Sequence, residues 1–241
     1  MMNTVKITNP GKPLMVAHRG LSGLETENTC AAFVAAGNRS YFGIETDVHR
    51  TRDGKYVVFH DDTTGRLAAE NVVVEETDYE VLRDMLLKQK DGAFGRTDIR
   101  IPSLQEYIAI CKKYEKIAVL ELKNHFDKED VFEILEIIED FGYLDQTIFI
   151  SFDYDNLVFV KEKLPGQPVQ FLTGQCDEAL VKKLAECGMD LDLYYKGMTP
   201  ELARICRRYG VKINCWTVDS VEDADYLIEC GVEYITSNIL E

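Results

Sequence analysis

No run in this chain approaches the roughly 18 consecutive apolar residues that a membrane-spanning helix needs, which excludes an integral membrane segment. Residues Met1 to Lys12 are mixed and polar without an apolar centre, so no secretory signal is read there. Basic residues are in deficit: 27 Lys and Arg against 42 Asp and Glu leave a formal net charge of −15. That deficit argues against a nucleic-acid partner and against electrostatic docking on anionic lipid, and it is compatible with a cation-binding pocket. Paired cysteine motifs are missing too. Cys30, Cys111, Cys176, Cys187, Cys206, Cys215 and Cys230 form no C-x-x-C pair, and an odd, unpatterned set reads as reduced thiols of a cytoplasmic protein. There is no internal repeat and no low-complexity tract.

What is present is an ordinary globular balance, 46% hydrophobic and 29% charged over 241 residues, enough for one α/β domain over 1–241. Apolar strand-like runs begin near residues 14, 44, 117, 147, 169, 191, 211 and 233. A helical pattern follows most of them, as at 30–36, 128–141, 154–164, 177–187, 200–209 and 221–230. About eight such alternations predict a parallel sheet closed into a (β/α)8 TIM-like barrel. The rhythm breaks at about 62–101, a small insertion after the second strand. Val72-Val73-Val74 predicts a short strand in it and 78–87 a helix, and Pro102 is placed in the first turn of the next helix.

The chemistry concentrates at 44–62, two β-rich runs flanking Asp53-Gly54, a dipeptide suited to a tight turn. A two-residue loop there sets Asp47 opposite His60, while alternation puts Glu45, Asp47 and His49 on one face. The catalytic face of a barrel lies at the C-terminal ends of its strands. Three consecutive core strands end in His18-Arg19, in Glu45-Thr46-Asp47 and in Glu121-Leu122-Lys123. Three carboxylates brought together repel unless a cation is bound, and oxygen-only donors suit Mg²⁺ or Ca²⁺, with Mn²⁺ also acceptable. Glu45, Asp47 and Glu121 are therefore read as metal ligands. His18 and His60 are read as the proton-transfer pair, catalytic in either order, with Arg19 and Lys123 as fixed positive charges. This set suits an anionic phosphoryl substrate.

These motifs resemble those of the glycerophosphodiester phosphodiesterase family. The matching residues are His18-Arg19-Gly20, Glu27-Asn28-Thr29, Ile44 to Val48, Thr51 to Gly54, His60-Asp61, Ile101 to Leu104, Glu121-Leu122-Lys123, Ser151-Phe152 and Trp216-Thr217-Val218. They run in the family's order over nearly the whole chain. The resemblance implies a TIM-like barrel with an insertion, a divalent metal on Glu45, Asp47 and Glu121, and acid/base roles for His18 and His60. It implies phosphate contacts from Arg19 and Lys123 and a substrate-side place for Trp216. Asn28 is expected to face the metal–phosphate site and Glu27 to brace the loop. Thr26 stands where the family often has Pro, which is expected to loosen the loop but removes no reacting group. The segment 235–238 is only loosely family-like and is assigned nothing.

The expected reaction is metal-dependent hydrolysis of a glycerophosphodiester, a small-molecule substrate, to sn-glycerol 3-phosphate and an alcohol. The alternatives are lysophospholipase D-type headgroup cleavage and a barrel that only binds phosphate esters. His49 is expected to hydrogen-bond to backbone and His125 to be exposed, and Asp192 and Tyr194 are placed near the substrate alcohol.

Overall fold

Strands whose two faces are both covered read as nearly unbroken apolar runs, and this chain supplies them at regular intervals. The computed structural model describes residues 3–241, so Met1 and Met2 of the polar N-terminal stretch lie outside the described residues. In order the chain forms β1 (Leu14–Ala17), α1 (Cys30–Gly37), β2 (Gly43–Arg50), β3 (Tyr56–Val58), α2 (Tyr79–Asp84) and α3 (Leu104–Lys113). It continues through β4 (Ile117–Leu122), α4 (Lys128–Asp140), β5 (Thr147–Ser151), α5 (Tyr154–Lys163), β6 (Val169–Thr173) and α6 (Glu178–Glu186). It ends with β7 (Asp190–Tyr194), α7 (Pro200–Tyr209), β8 (Ile213–Trp216), α8 (Val221–Cys230) and β9 (Tyr234–Ser237).

All strands but β3 pair in parallel, and β1 bonds to both β2 and β9, so eight strands close into a TIM barrel. Ile44, Val48, Leu120 and Leu122 point outward into the helix layer, buried with Phe33, Leu104 and Ile134. On α4, Val131, Ile134, Leu135 and Ile138 recur at helical spacing and are buried, each contributing roughly 1.5–3 kcal/mol. Side-chain caps start most barrel helices. Ser103 and Glu106 form a reciprocal capping box on α3, and Thr199 caps α7 ahead of Pro200. Inside the barrel, Val16, Val119, Ile148, Ile150 and Leu172 form an apolar plug. Beside it Thr236 donates to Asn214, and Asn214 to Gln170, a buried ladder that satisfies itself.

The insertion carries its own core: Val57, Phe59, Ala68, Val74, Leu82, Leu87, Ile99 and Ile101. Three local expectations are corrected there. Val72 to Val74 form no strand; Val73 makes one isolated bridge with Thr63, and Val74 turns into a short 3₁₀ segment that buries it. The helix expected to Leu87 stops at Asp84, because Leu86 and Leu87 pair instead with Arg100 and Ala68. Pro102 precedes the Ser103 cap and so lies outside the helix. Among the described residues no helix is long and apolar enough to cross a membrane.

Candidate active site

Thr51 and Lys55 close the β2–β3 hairpin around a three-residue loop, Arg52-Asp53-Gly54, with Gly54 at φ +74°. Asp53 fixes this length: its carboxylate accepts from Thr51 Oγ1 at 2.7 Å and from Tyr79 N, across in the insertion, at 2.9 Å. Arg50 therefore faces Tyr56, and Val48 faces Val58. The expected pairing of Asp47 with His60 is off by one residue, since the Asp47 carbonyl accepts from Phe59 N. His60 reaches the site by another route. The chain leaves β3 at Val58, and His60 bends into a cavity lined also by His18, Arg19, Glu45, Glu121 and Trp216.

The parallel register sets Asp47 beside Glu121 and Glu45 beside Val119, all facing inward. Glu45, Asp47 and Glu121 each offer an oxygen, and the three oxygens lie within 4.8 Å of one another in buried positions. Lys123 Nζ is 2.8 Å from Glu121 and 3.5 Å from Asp47. Arg19 Nε is 3.7 Å from Asp47, its backbone N–H donates to Glu45 at 2.8 Å, and Asn28 Nδ2 donates to Asp47 at 2.7 Å. Burial opposes ionisation of all three carboxyls, but the Lys123 and Arg19 charges hold Asp47 well below the usual range. Glu121, buried and facing Asp47, is pushed up to about 7. Glu45 rises well above 4.5, from burial first and then from the Asp47 and Glu121 charges. Among the described residues nothing hydrogen-bonds to the buried Asp47 Oδ1, with Lys123 Nζ 3.5 Å away. A hard, oxygen-seeking cation would fit this donor set and relieve the repulsion among the three carboxylates.

The two histidines are braced by different partners. His18 Nδ1 lies 2.8 Å from Asn238 Oδ1, and Asn238 is held by Asp219 through its Nδ2 at 2.6 Å and its backbone N at 2.8 Å. Since that oxygen accepts, His18 carries its proton on Nδ1 and presents a bare Nε2. Burial and the Arg19 charge lower its pKa to about 4. His60 Nδ1 lies 2.7 Å from the Asp61 carboxylate, and its pKa is also lowered, chiefly by burial. Arg66 reaches Asp61 at 2.6 Å and grips Glu27 with two bonds, while Glu27 receives Arg19 at 2.8 Å. Asn238, Asp61 and Arg66 were not singled out as site residues. Asp61 adjoins a predicted one, whereas nothing local flags Asn238.

Of the remaining candidates, Trp216 lies on the cavity wall with Ile150, Phe152 and Leu172, its ring edge-on to Phe152 at 5.6 Å. Asn28 donates to Asp47, and Glu27 accepts from Arg66 and Arg19. Thr26 donates to the Lys88 carbonyl at 2.8 Å, a tie to the insertion that proline lacks. His49 is buried but its nearer partner is the Glu75 carboxylate at 2.9 Å, with the His60 carbonyl at 3.4 Å, rather than backbone alone. His125 is exposed and pairs with Asp153. The Tyr194 ring meets Tyr195 edge-on at 5.2 Å and lies tilted against Trp216 at 5.5 Å.

Residues 18–240 match the model of the glycerophosphoryl diester phosphodiesterase family. A glycerophosphodiester phosphodiesterase of Caldanaerobacter subterraneus subsp. tengcongensis is 31% identical over 231 residues, covering 94% of each chain. Among solved structures, an Oleispira antarctica phosphodiesterase in complex with the product sn-glycerol-3-phosphate superposes with a TM-score of 0.86. It is 25% identical, with 95% of this chain and 94% of that one covered. A glycerophosphodiester phosphodiesterase from Parabacteroides distasonis gives a TM-score of 0.80 at 25% identity, with 94% of each chain covered.

Proposed function

The chain belongs to the glycerophosphoryl diester phosphodiesterase family, and from that premise we propose that it hydrolyses glycerophosphodiesters to sn-glycerol 3-phosphate and an alcohol. The observation that carries this reading is the pair of differently braced imidazoles flanking one carboxylate cage. Glu45, Asp47 and Glu121 would hold a divalent cation, which supplies charge stabilisation at a phosphoryl oxygen. Arg19 and Lys123 receive the remaining phosphoryl charge. The bare Nε2 of His18, which its lowered pKa of about 4 leaves unprotonated at neutral pH, takes the proton from the attacking oxygen. His60, whose imidazolium the Asp61 carboxylate stabilises, gives a proton to the departing alcohol as its P–O bond breaks. Two proton carriers are more than binding alone requires, which disfavours a barrel that only binds phosphate esters.

The test is release of glycerol 3-phosphate from a panel of glycerophosphodiesters, with and without chelator. Product that forms equally with chelator present removes the metal from the reading; no product from any member removes the activity. Phe152, half exposed at the cavity rim, favours lysophospholipid headgroup cleavage as a second reading, and lysophosphatidylcholine in the same panel separates the two.

A further inference from the structure

Asp192 is a fourth buried carboxyl in the cavity, 1% exposed, and it is outside the cage. Among the described residues nothing hydrogen-bonds to its carboxyl, and its Oδ1 is a buried oxygen with no partner. Its backbone is spoken for, since the carbonyl accepts from Trp216 Nε1 at 3.3 Å. Its neighbour across the register, Asn214, is engaged with Gln170 and Thr236. A polar atom left bare in a folded interior costs about 1–3 kcal/mol, so its retention needs a reason.

Position supplies one. Around the barrel β7 lies four strands from β2 in either direction, which sets Asp192 across the cavity from Glu45 and Asp47. Arg19 and Lys123 both cluster at Asp47, so the anion-receiving side is the β1–β2–β4 side. The opposite wall is apolar, built from Ile150, Leu172, Phe152 and Trp216, with Asp192 the carboxyl among them. A phosphate has no complement there. A short carbon chain with one hydroxyl does: the carbons pack on the apolar wall, and the hydroxyl meets a group able to donate or accept.

We propose that Asp192 binds a free hydroxyl of the glycerol moiety and so selects polyol phosphodiesters over diesters that lack it. The inference rests on the phosphodiesterase reading above. A site built around a substrate hydroxyl rejects the analogue without it because the buried group is then left unpaired.

The experiment compares kcat/KM for glycerophosphocholine and for bis(p-nitrophenyl) phosphate, a diester without hydroxyls, in the wild type, Asp192→Ala and Asp192→Asn. Asp192→Ala should lower the ratio of the two values by about 10- to 100-fold, mainly through KM for glycerophosphocholine. Asp192→Asn, which still donates and accepts, should stay within about threefold of wild type. A merely structural role moves both substrates together, and an unchanged ratio overturns the proposal. Thermal shift gives a readout independent of turnover. Glycerol 3-phosphate should stabilise the wild type more than inorganic phosphate does, and Asp192→Ala should erase that difference. Equal shifts from the two ligands in the wild type overturn the hydroxyl contact. A wild type that binds glycerol 3-phosphate preferentially yet cleaves no glycerophosphodiester overturns the catalytic reading and leaves the contact standing.

Discussion

Loading the cage with Mg²⁺ or Ca²⁺ should expel protons, and the surroundings of each carboxyl set how many. At pH 7 Glu121, titrating at about 7, is half protonated, while Asp47 is ionised beside Lys123 and Arg19. Glu45, raised by burial and two like charges, holds up to one proton more. About 0.5 to 1.5 protons should therefore leave per ion bound. From pH 7 to pH 5 the Glu121 proton alone should weaken apparent affinity about 50-fold, with Glu45 adding to that. Calorimetric titration in two buffers of different ionisation enthalpy counts the protons, and repeating it across pH 5 to 8 gives the slope. The same groups predict the sign of a stability effect. A carboxyl whose folded pKa is raised stabilises the fold fully below about 4.5, and that contribution is lost as pH rises through about 7. The amount at stake is up to about 3 kcal/mol for Glu121, so the cation's effect on thermal unfolding should grow from pH 5 to pH 8. Binding without proton release and with a flat affinity profile would mean all three carboxylates stand ionised together in the empty cage. That result refutes the burial argument.

Three further outcomes are expected. His18→Ala and His60→Ala should each lose at least about 10²-fold in turnover while keeping cation affinity, as initial rates and calorimetry will show. Asn238→Ala should cut kcat about tenfold or more with KM little changed, because His18 loses the acceptor that fixes its tautomer; Asn238→Asp should move the acid limb of the pH–rate profile upward by placing a carboxylate on Nδ1. Gly20→Ala should lower thermal stability by more than about 2 kcal/mol, since a Cβ there meets the Ala32 backbone at 2.7 Å on a residue at φ +74°.

The barrel strands were legible because burial on both faces writes an unbroken apolar run, and the helices because each carries its own caps and periodicity. The cage was legible for a related reason: strand-end carboxylates on adjacent strands need only alternation and parallel register to meet. The hairpin register was not, because the loop length depends on Asp53 receiving Tyr79 N, a contact with a residue 26 positions on in the insertion. The insertion resisted reading too. Val72-Val73-Val74 has strand propensity, but burying Val74 beside Phe59 and Leu82 wins over pairing. Asn238 was invisible because its partner, His18, is 220 residues away and the two meet only when β9 closes the barrel onto β1.

The ion pairs around the site also indicate which charge of cation it suits. From His60 toward the cage runs an alternating chain, Asp61, Arg66, Glu27 and Arg19, whose four charges cancel. Arg19 joins this chain to the cage, 2.8 Å from Glu27 and 3.7 Å from Asp47, and its one charge is counted in the neutral chain. Among the described residues the balance is then Lys123, paired with Glu121 and Asp47, against three carboxylates, a surplus of two negative charges once all are ionised. In a buried setting such a surplus is met either by protons or by a cation of matching charge. A monovalent ion leaves one negative charge facing an incoming phosphodiester anion, whereas a divalent ion brings the cage to neutrality. The insertion thus has an electrostatic part in the barrel's chemistry, because Arg66, which it supplies, keeps Glu27 and Asp61 from adding their charges to the cage.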